Sequence, residues 1–219
     1  MRLKLYDYFR SSAAYRVRIA LNIKNIEYDF QVVDLRSPND EQHSSGYLSL
    51  NPQGLVPALQ TEHGLLTQSS AIIEYLDEIC PEPPLLPKPP VDRARVRALS
   101  QVIACDIHPL NNLRVLNYRT SQELQNEQER IEWYQHWVQL GFKAFEKLVL
   151  DNGSDGQFCF GRRPSLADIF LIPQVYNAMR FDCDLQNYPL IRGVYRNCTA
   201  LAPFAKAAPE NQSVSPAPV

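Results

Sequence analysis

No two cysteines in this 219-residue chain stand at C-x-x-C spacing. The five present, Cys80, Cys105, Cys159, Cys183 and Cys198, are odd in number and scattered. That pattern excludes a disulfide framework, a zinc ribbon and a dithiol redox motif, and it fits a reducing, cytoplasmic compartment. The four histidines complete no metal-ligand motif, so no metal is expected. No apolar run approaches the ~18 residues a membrane span needs. The opening MRLKLYDYFRSS alternates apolar and charged residues and is interrupted by Asp7, unlike a secretory leader. With a net charge of −2 the chain has no global field to attract nucleic acid or an anionic membrane, and neither is expected as a partner. An anionic ligand would have to be met by a local group of basic residues.

What is present is ordinary globular composition, 45% hydrophobic and 21% charged, in a length suited to one large domain or two small ones. The first 80 residues alternate short patterns. Leu3, Leu5, Tyr6 and Tyr8 suggest a strand ending near Asp7, and residues 12–24 a helix with Ala13, Val17, Ala20 and Leu21 on one face. Residues 27–33 read as a second strand, and the polar stretch SPNDEQHSSG as a loop or short helix. LVPAL and GLLTQ, separated by Thr61-Glu62-His63-Gly64, form a hairpin pattern. Ile72, Ile73, Leu76 and Ile79 then mark a helix over 69–79. The order β-α-β, connection, β-β-α predicts a mixed four-stranded sheet with helices, as in thioredoxin-like domains. Six prolines within residues 81–90 stop the helix and predict a stiff linker. Beyond it, residues 91–118, 127–150, 165–180 and 189–200 carry helical spacing and no strand. The expected organisation is therefore α/β followed by all-α: residues 1–82, a linker at 83–90, a helical domain at 91–208, and a frayed tail at 209–219.

Three segments of the first domain carry chemistry. At the strand-to-helix turn stand Arg10-Ser11-Ser12-Ala13-Ala14, where a helix N-terminus stabilises anions and thiolates. Redox members of the thioredoxin superfamily place a cysteine there; this chain has serines. Ser11 or Ser12 can cap the helix, or donate to a thiolate brought by a ligand. The second segment is Asn51-Pro52-Gln53-Gly54-Leu55-Val56-Pro57. A cis Val56–Pro57 bond would turn the Val56 backbone outward to pair with a peptide-like ligand, but only ~5–6% of X-Pro bonds are cis, so trans is expected. The third is Gln68-Ser69-Ser70, before a helix whose N-terminus suits a carboxylate or simply takes a serine cap.

The run SSAAYRVRIALN closely resembles the signature of zeta-class glutathione transferases. NPQGLVPAL, QSSAIIEYL, CDIHPLNNLRVL and PSLADIFLIPQVYNAMRF resemble blocks of the same class, so that the likeness spans residues 3–205. It implies a thioredoxin-like domain that binds glutathione, an all-helical second domain, a homodimer, and cis–trans isomerisation of maleylacetoacetate, a small dicarboxylate of tyrosine and phenylalanine breakdown. By this resemblance Ser11 contacts the glutathione sulfur with Ser12 adjacent. Gln53 and the backbone at Val56 and Pro57 hold the tripeptide, and Gln68 and Ser69 hold its γ-glutamyl end. Arg10 and Arg180 meet substrate carboxylates, while His108, Asn111 and Arg114 face the same cleft. Arg16 and Arg18 read instead as interdomain or surface partners. One departure is Ala13, where the class commonly has cysteine; it argues that a protein thiol there is dispensable for isomerisation.

Three other readings compete. Maleylpyruvate isomerisation shares fold and cofactor, but by resemblance that sister activity favours an arginine at position 113, and Leu113 here favours the longer maleylacetoacetate. A general transferase or haloacid-processing activity would use the same thiolate. A non-catalytic docking module on the same fold would not need the serine turn, the Val56-Pro57 element and Gln68-Ser69 together. In the helical region Pro164-Ser165-Leu166-Ala167-Asp168 has the form of a capping box and reads as structural. Ser165→Ala is therefore expected to cost ~1 kcal/mol, seen as a lowered denaturation midpoint. An unchanged midpoint would refute that assignment.

Overall fold

The computed structural model describes residues 3–36, 38–121 and 126–212. The chain divides into two compact units, one of Met1–Pro83 with the chain from Leu201 onward, the other of Pro84–Ala200. The first holds β1 (Leu3–Asp7), α1 (Ser12–Ile23), β2 (Tyr28–Val32), a 3₁₀ turn (Glu41–His43), α2 (Ser45–Leu50), β3 (Ala58–Thr61), β4 (Gly64–Thr67) and α3 (Ser69–Ile79). The second holds α4 (Pro90–Gln101), a π-helical segment (Val102–Ile107), α5 (Leu113–Ser121), α6 (Glu127–Asp151), α7 (Leu166–Arg180) and α8 (Pro189–Thr199). The chain then returns to the first unit as α9 (Ala202–Ala207).

The sheet order is β2-β1-β3-β4. β1 runs parallel to β2, with α1 as the crossover, and antiparallel to β3, which pairs antiparallel with β4. This is the expected thioredoxin-like mixed sheet. Its register positions the site. Tyr6 pairs with Ala58, and Ala58 with Thr67. The end of β1, the start of β3 and the end of β4 therefore share one end of the sheet, and α1 and α3 begin just beyond it.

In α1 every residue from Ala14 to Leu21 is buried, not one face only. That includes Arg16 and Arg18, so neither is a surface group. The Arg18 guanidinium is enclosed by acceptors. Nη1 donates to both Asp7 oxygens at 2.6 and 2.9 Å, Nη2 to the Phe9 carbonyl at 2.9 Å, and Nε to the Ala207 carbonyl at 3.0 Å. Burial pushes the Asp7 carboxyl up, and the Arg18 charge and hydrogen bonds pull it back. Asn22 Nδ2 donates to the Pro203 carbonyl at 2.9 Å. These bonds explain why α9 belongs to the first unit, whereas the sequence pattern grouped it with the helical region. Pro209–Asn211 continue as a 3₁₀ turn with Pro209 buried, so the chain there is packed, not frayed; residues 213–219 of the expected tail lie outside the described residues.

The pattern over 91–118 suggested one helix, but it is broken. Pro109 has no N–H and cannot continue a helix. Ahead of it the backbone widens to π spacing, with the His108 N–H donating to Ile103 O at 2.9 Å. The core of the helical unit is α7, buried from Leu166 to Val175. Its start is held by Asp168, which accepts from Cys159 N at 2.8 Å and from Ser165 N and Oγ, both at 2.7 Å. The proline-rich stretch is seated, not free: Leu85 and Leu86 are buried, and the Leu166 N–H donates to Leu85 O at 2.8 Å. Among the described residues no helix is long and apolar enough to cross a membrane.

Arg18→Met leaves the Asp7 carboxylate buried without its counter-charge. It should destabilise the protein by ~3–5 kcal/mol in urea denaturation, and Arg18→Met with Asp7→Leu should recover much of that loss. A loss below ~1 kcal/mol for the single variant would show that the buried pair does not organise the unit.

Candidate functional site

All three sequence segments of the first unit meet at the sheet end just described. Ser11 is the N-cap of α1, with extended backbone (φ −66°, ψ 119°), and its Oγ accepts from Ala14 N at 3.2 Å. Capping uses an oxygen lone pair, and the hydroxyl proton makes no bond among the described residues, so it remains available to a ligand. Capping and ligand contact are thus compatible roles for one serine. Ser12 is buried in the first turn. Arg10 is exposed, with its guanidinium carbon 5.0 Å from the centroid of the Phe9 ring. The turn rests on a small apolar cluster of Tyr8, Phe9, Val33, Tyr47 and Val56.

The second segment is braced from within. Asn51 Nδ2 and the Tyr47 hydroxyl both donate to Leu55 O at 2.7 Å, and the Gln53 N–H donates to Asn51 Oδ1 at 3.1 Å. Gly54 has φ +61°, and a Cβ there would lie 3.1 Å from Gln42 O, so glycine is required for both conformation and space. Val56–Pro57 is cis, contrary to the expectation from X-Pro frequencies. The β3 ladder begins at Ala58, leaving the Val56 peptide groups just outside it.

The third segment joins the second. Gln68, at the cap of α3, has φ +69°, uncommon for a residue with a side chain, and its Nε2 donates to Gln53 Oε1 at 2.9 Å. Both amides are exposed. Ser69 is buried, and its Oγ lies 3.4 Å from Arg16 Nη1. Arg16 therefore stands behind the start of α3, a placement that sequence periodicity did not suggest. Neither α1 nor α3 has an acidic residue in its first turn, a feature they share with α2, α5, α8 and α9 but not with α4, α6 and α7. The site thus keeps two helix N-termini whose partial positive charge no acidic side chain of their own first turn cancels, a setting that favours a thiolate and a carboxylate.

The remaining candidates lie in the helical unit. His108 is half-buried at the end of the π-helical segment. Asn111 is buried, with Nδ2 3.4 Å from Tyr134 O and Oδ1 without a partner. Arg114 is exposed at the start of α5. Arg180 ends α7, exposed, and donates to Asn177 Oδ1 at 3.1 Å, with no ion pair among the described residues. Tyr134 links this group: it meets Asn111 through its carbonyl and stacks on Phe181 at 3.8 Å, next to Arg180. No protein thiol is activated in the buried set. Burial pushes Cys159, Cys183 and Cys198 upward, Cys183 to about 12, and neighbouring carboxylates add to the effect.

Residues 1–78 match the model of the glutathione S-transferase N-terminal domain. The chain is 48% identical to a probable maleylacetoacetate isomerase of Vibrio cholerae, over 97% of this chain and 98% of that protein. The chain belongs to the zeta-class glutathione transferases. Among solved structures of this class, a bacterial maleylpyruvate isomerase in its holo form superposes with a TM-score of 0.93 at 44% identity, covering 97% of this chain and 99% of that one. The maleylacetoacetate isomerase of Anaeromyxobacter dehalogenans, solved with dicarboxyethyl glutathione and citrate in its active site, gives a TM-score of 0.87 at 40% identity, covering 99% and 95%.

The zeta-class frame and the uncancelled helix ends predict the effect of one added charge. Ser70→Glu, at an exposed first-turn position of α3, should raise the denaturation midpoint, as acids at helix starts do. The same change should weaken glutathione binding about fivefold in calorimetry. Weaker binding with a lowered midpoint would mean that the substitution merely damaged the helix.

Proposed function

We propose that this chain catalyses the glutathione-dependent cis–trans isomerisation of maleylacetoacetate to fumarylacetoacetate. The observation that carries the reading is the turn at Ser11: a helix N-terminus with no acid in its first turn, a capping serine with its proton to spare, and no cysteine. Such a turn stabilises a thiolate but supplies none, so the sulfur comes from glutathione. In this reading Gln53 and the Val56-Pro57 backbone grip the tripeptide, and Gln68 and Ser69 take its γ-glutamyl end.

The chemistry is balanced without redox change. The thiolate adds to an alkene carbon, a C–S bond forms, and the double-bond pair moves onto the conjugated carbonyl oxygen. The former double bond, now single, rotates. The pair then returns, the C–S bond breaks, and thiolate leaves the trans product. A free thiol ionises near pH ~8.5, so the hydrogen bond from Ser11 and the start of α1 must favour the anion. Arg10 and Arg180 suit the substrate carboxylates and the charge that builds on the carbonyl, because a guanidinium stays charged and pairs bidentately. His108, Asn111 and Arg114 complete the substrate-facing set. The adduct found in the Anaeromyxobacter enzyme supports this order of events, since a dicarboxyethyl thioether is what thiol addition to a butenedioate gives. The enzyme acts as a homodimer in a reducing cytoplasm, a reading supported by its class and by five free cysteines.

A second reading, isomerisation of maleylpyruvate, has the similarity to the holo enzyme in its favour. Leu113, 39% exposed at the start of α5, favours the longer, less polar substrate. Steady-state rates on the two compounds decide between them; faster turnover of maleylpyruvate would reverse the choice. For the site itself, Ser11→Ala should lower the maleylacetoacetate rate about a hundredfold, as loss of one transition-state donor does, and should raise the pH at which bound glutathione ionises. Equal activity in Ser11→Ala, Ser12→Ala and Arg10→Ala would overturn the assignment.

A further inference from the structure

In the helical unit, two irregular stretches carry groups assigned above to the substrate. One runs around the break at Pro109 and bears His108, Asn111 and Arg114. The other is the turn that begins at Arg180, with Phe181 as the C-cap of α7 and Asp182 at φ +51°. Backbone outside regular structure must find its partners in side chains or water. Three successive residues of α6 supply them to both stretches. Trp133 Nε1 donates to Leu110 O at 2.9 Å. Gln135 Nε2 donates to Phe181 O at 2.8 Å and to Asp182 O at 3.3 Å. Tyr134 is buried between them. Its carbonyl lies 3.4 Å from Asn111 Nδ2, its hydroxyl 3.4 Å from Gln174 Nε2 on α7, and its ring stacks on Phe181. Successive side chains of a helix diverge by about 100°, so Trp133 and Gln135 point to nearly opposite sides of α6. The helix itself is held by the buried Val138, Phe142 and Phe145.

We propose that Trp133 and Gln135 are positioning residues that set the spacing between Asn111 and Arg114 on one side and Arg180 on the other, and with it the length of dicarboxylate the enzyme prefers. The inference rests on the substrate roles proposed for those three groups. Neither Trp133 nor Gln135 needs to touch the substrate. Each fixes a carbonyl one residue away from an assigned group, Leu110 beside Asn111 and Phe181 beside Arg180. A group on an irregular turn is placed only as well as the bonds that hold the turn, and a small misplacement of a substrate-holding group costs rate steeply. α6 is thereby a strut between the two stretches. Phe181 is half-buried and Asp182 exposed, so water can replace a lost donor there. The unit then stays folded while the turn is released.

The test is steady-state kinetics of full-length Trp133→Phe and Gln135→Met on maleylacetoacetate and on the shorter maleylpyruvate, with glutathione affinity and the denaturation midpoint measured alongside. Trp133→Phe keeps a ring beneath Arg119, whose guanidinium carbon lies 3.8 Å from the Trp133 ring centroid, and Gln135→Met keeps the side-chain length. Each removes the donor alone. In each variant KM for maleylacetoacetate should rise about fivefold, and the ratio of kcat/KM between the two substrates should shift toward one by about threefold or more, as loss of a single hydrogen bond implies. Glutathione affinity should stay unchanged, and Gln135→Lys, which restores a donor, should recover most of the preference. An unchanged ratio, equal losses on both substrates, or glutathione affinity falling together with the midpoint would overturn the proposal and leave the isomerase reading standing. Absence of turnover in the wild type would overturn both.

Discussion

The first unit is organised around a buried charge. Arg18 is fully enclosed, and each of its three nitrogens is committed: to the end of β1 through Asp7, to the turn beyond it through Phe9 O, and to the returning chain through Ala207 O. A guanidinium in the interior is tolerable only when its charge and donors are answered. That requirement fixes the backbone on either side of Arg10-Ser11. The same need explains the topology of the C-terminal segment, which leaves the helical unit to supply an acceptor that α1 cannot find locally. Lys24 repeats the arrangement at the other end of α1, with Nζ donating to Asp77 Oδ1 at 2.6 Å and to Pro83 O at 2.7 Å.

With the scaffold held in this way, the site itself needs little strong chemistry of its own. Its elements are a capping hydroxyl, two amide side chains that meet, and two helix starts without acids. Each would be weak in water, but they converge because antiparallel pairing brings the start of β3 to the ends of β1 and β4. None of these elements is a thiol, and burial pushes the Cys159 and Cys198 thiols up, away from such a role. Reactivity therefore depends on a ligand, which suits an isomerase: the nucleophile must leave again unchanged.

Much of this was legible in the sequence because it is local. The strands and helices of the first unit fall within a residue or two of their apolar patterns, and the capping serine at Ser11 follows from its place before the helix. The proline cluster correctly marked the end of α3. What escaped was non-local. Arg16 and Arg18 sit within an apolar stretch, and periodicity assigns charged residues there to a solvent face; their burial rests on partners distant in sequence or across a turn, among them Asp7, Phe9, Ser69 and Ala207. The π-helical break before Pro109 was a local feature missed, because apolar spacing continues through it. The cis Val56–Pro57 bond went against the base rate for its residue pair, which no neighbouring residue corrects.

The arginines separate by what answers them. Arg18 is paired and buried, and its place is architectural. Arg10, Arg114 and Arg180 are exposed and, among the described residues, meet a ring, no side-chain partner and an amide respectively, none of them a carboxylate. In a protein of net charge −2, acidic residues outnumber basic ones, so arginines left without a counter-ion are not forced by composition. Keeping them free costs the fold little at the surface and leaves their donors for a ligand. Pairing is thus unevenly distributed: carboxylates answer the buried Arg18 and Lys24, and none answers the exposed Arg10, Arg114 or Arg180 among the described residues.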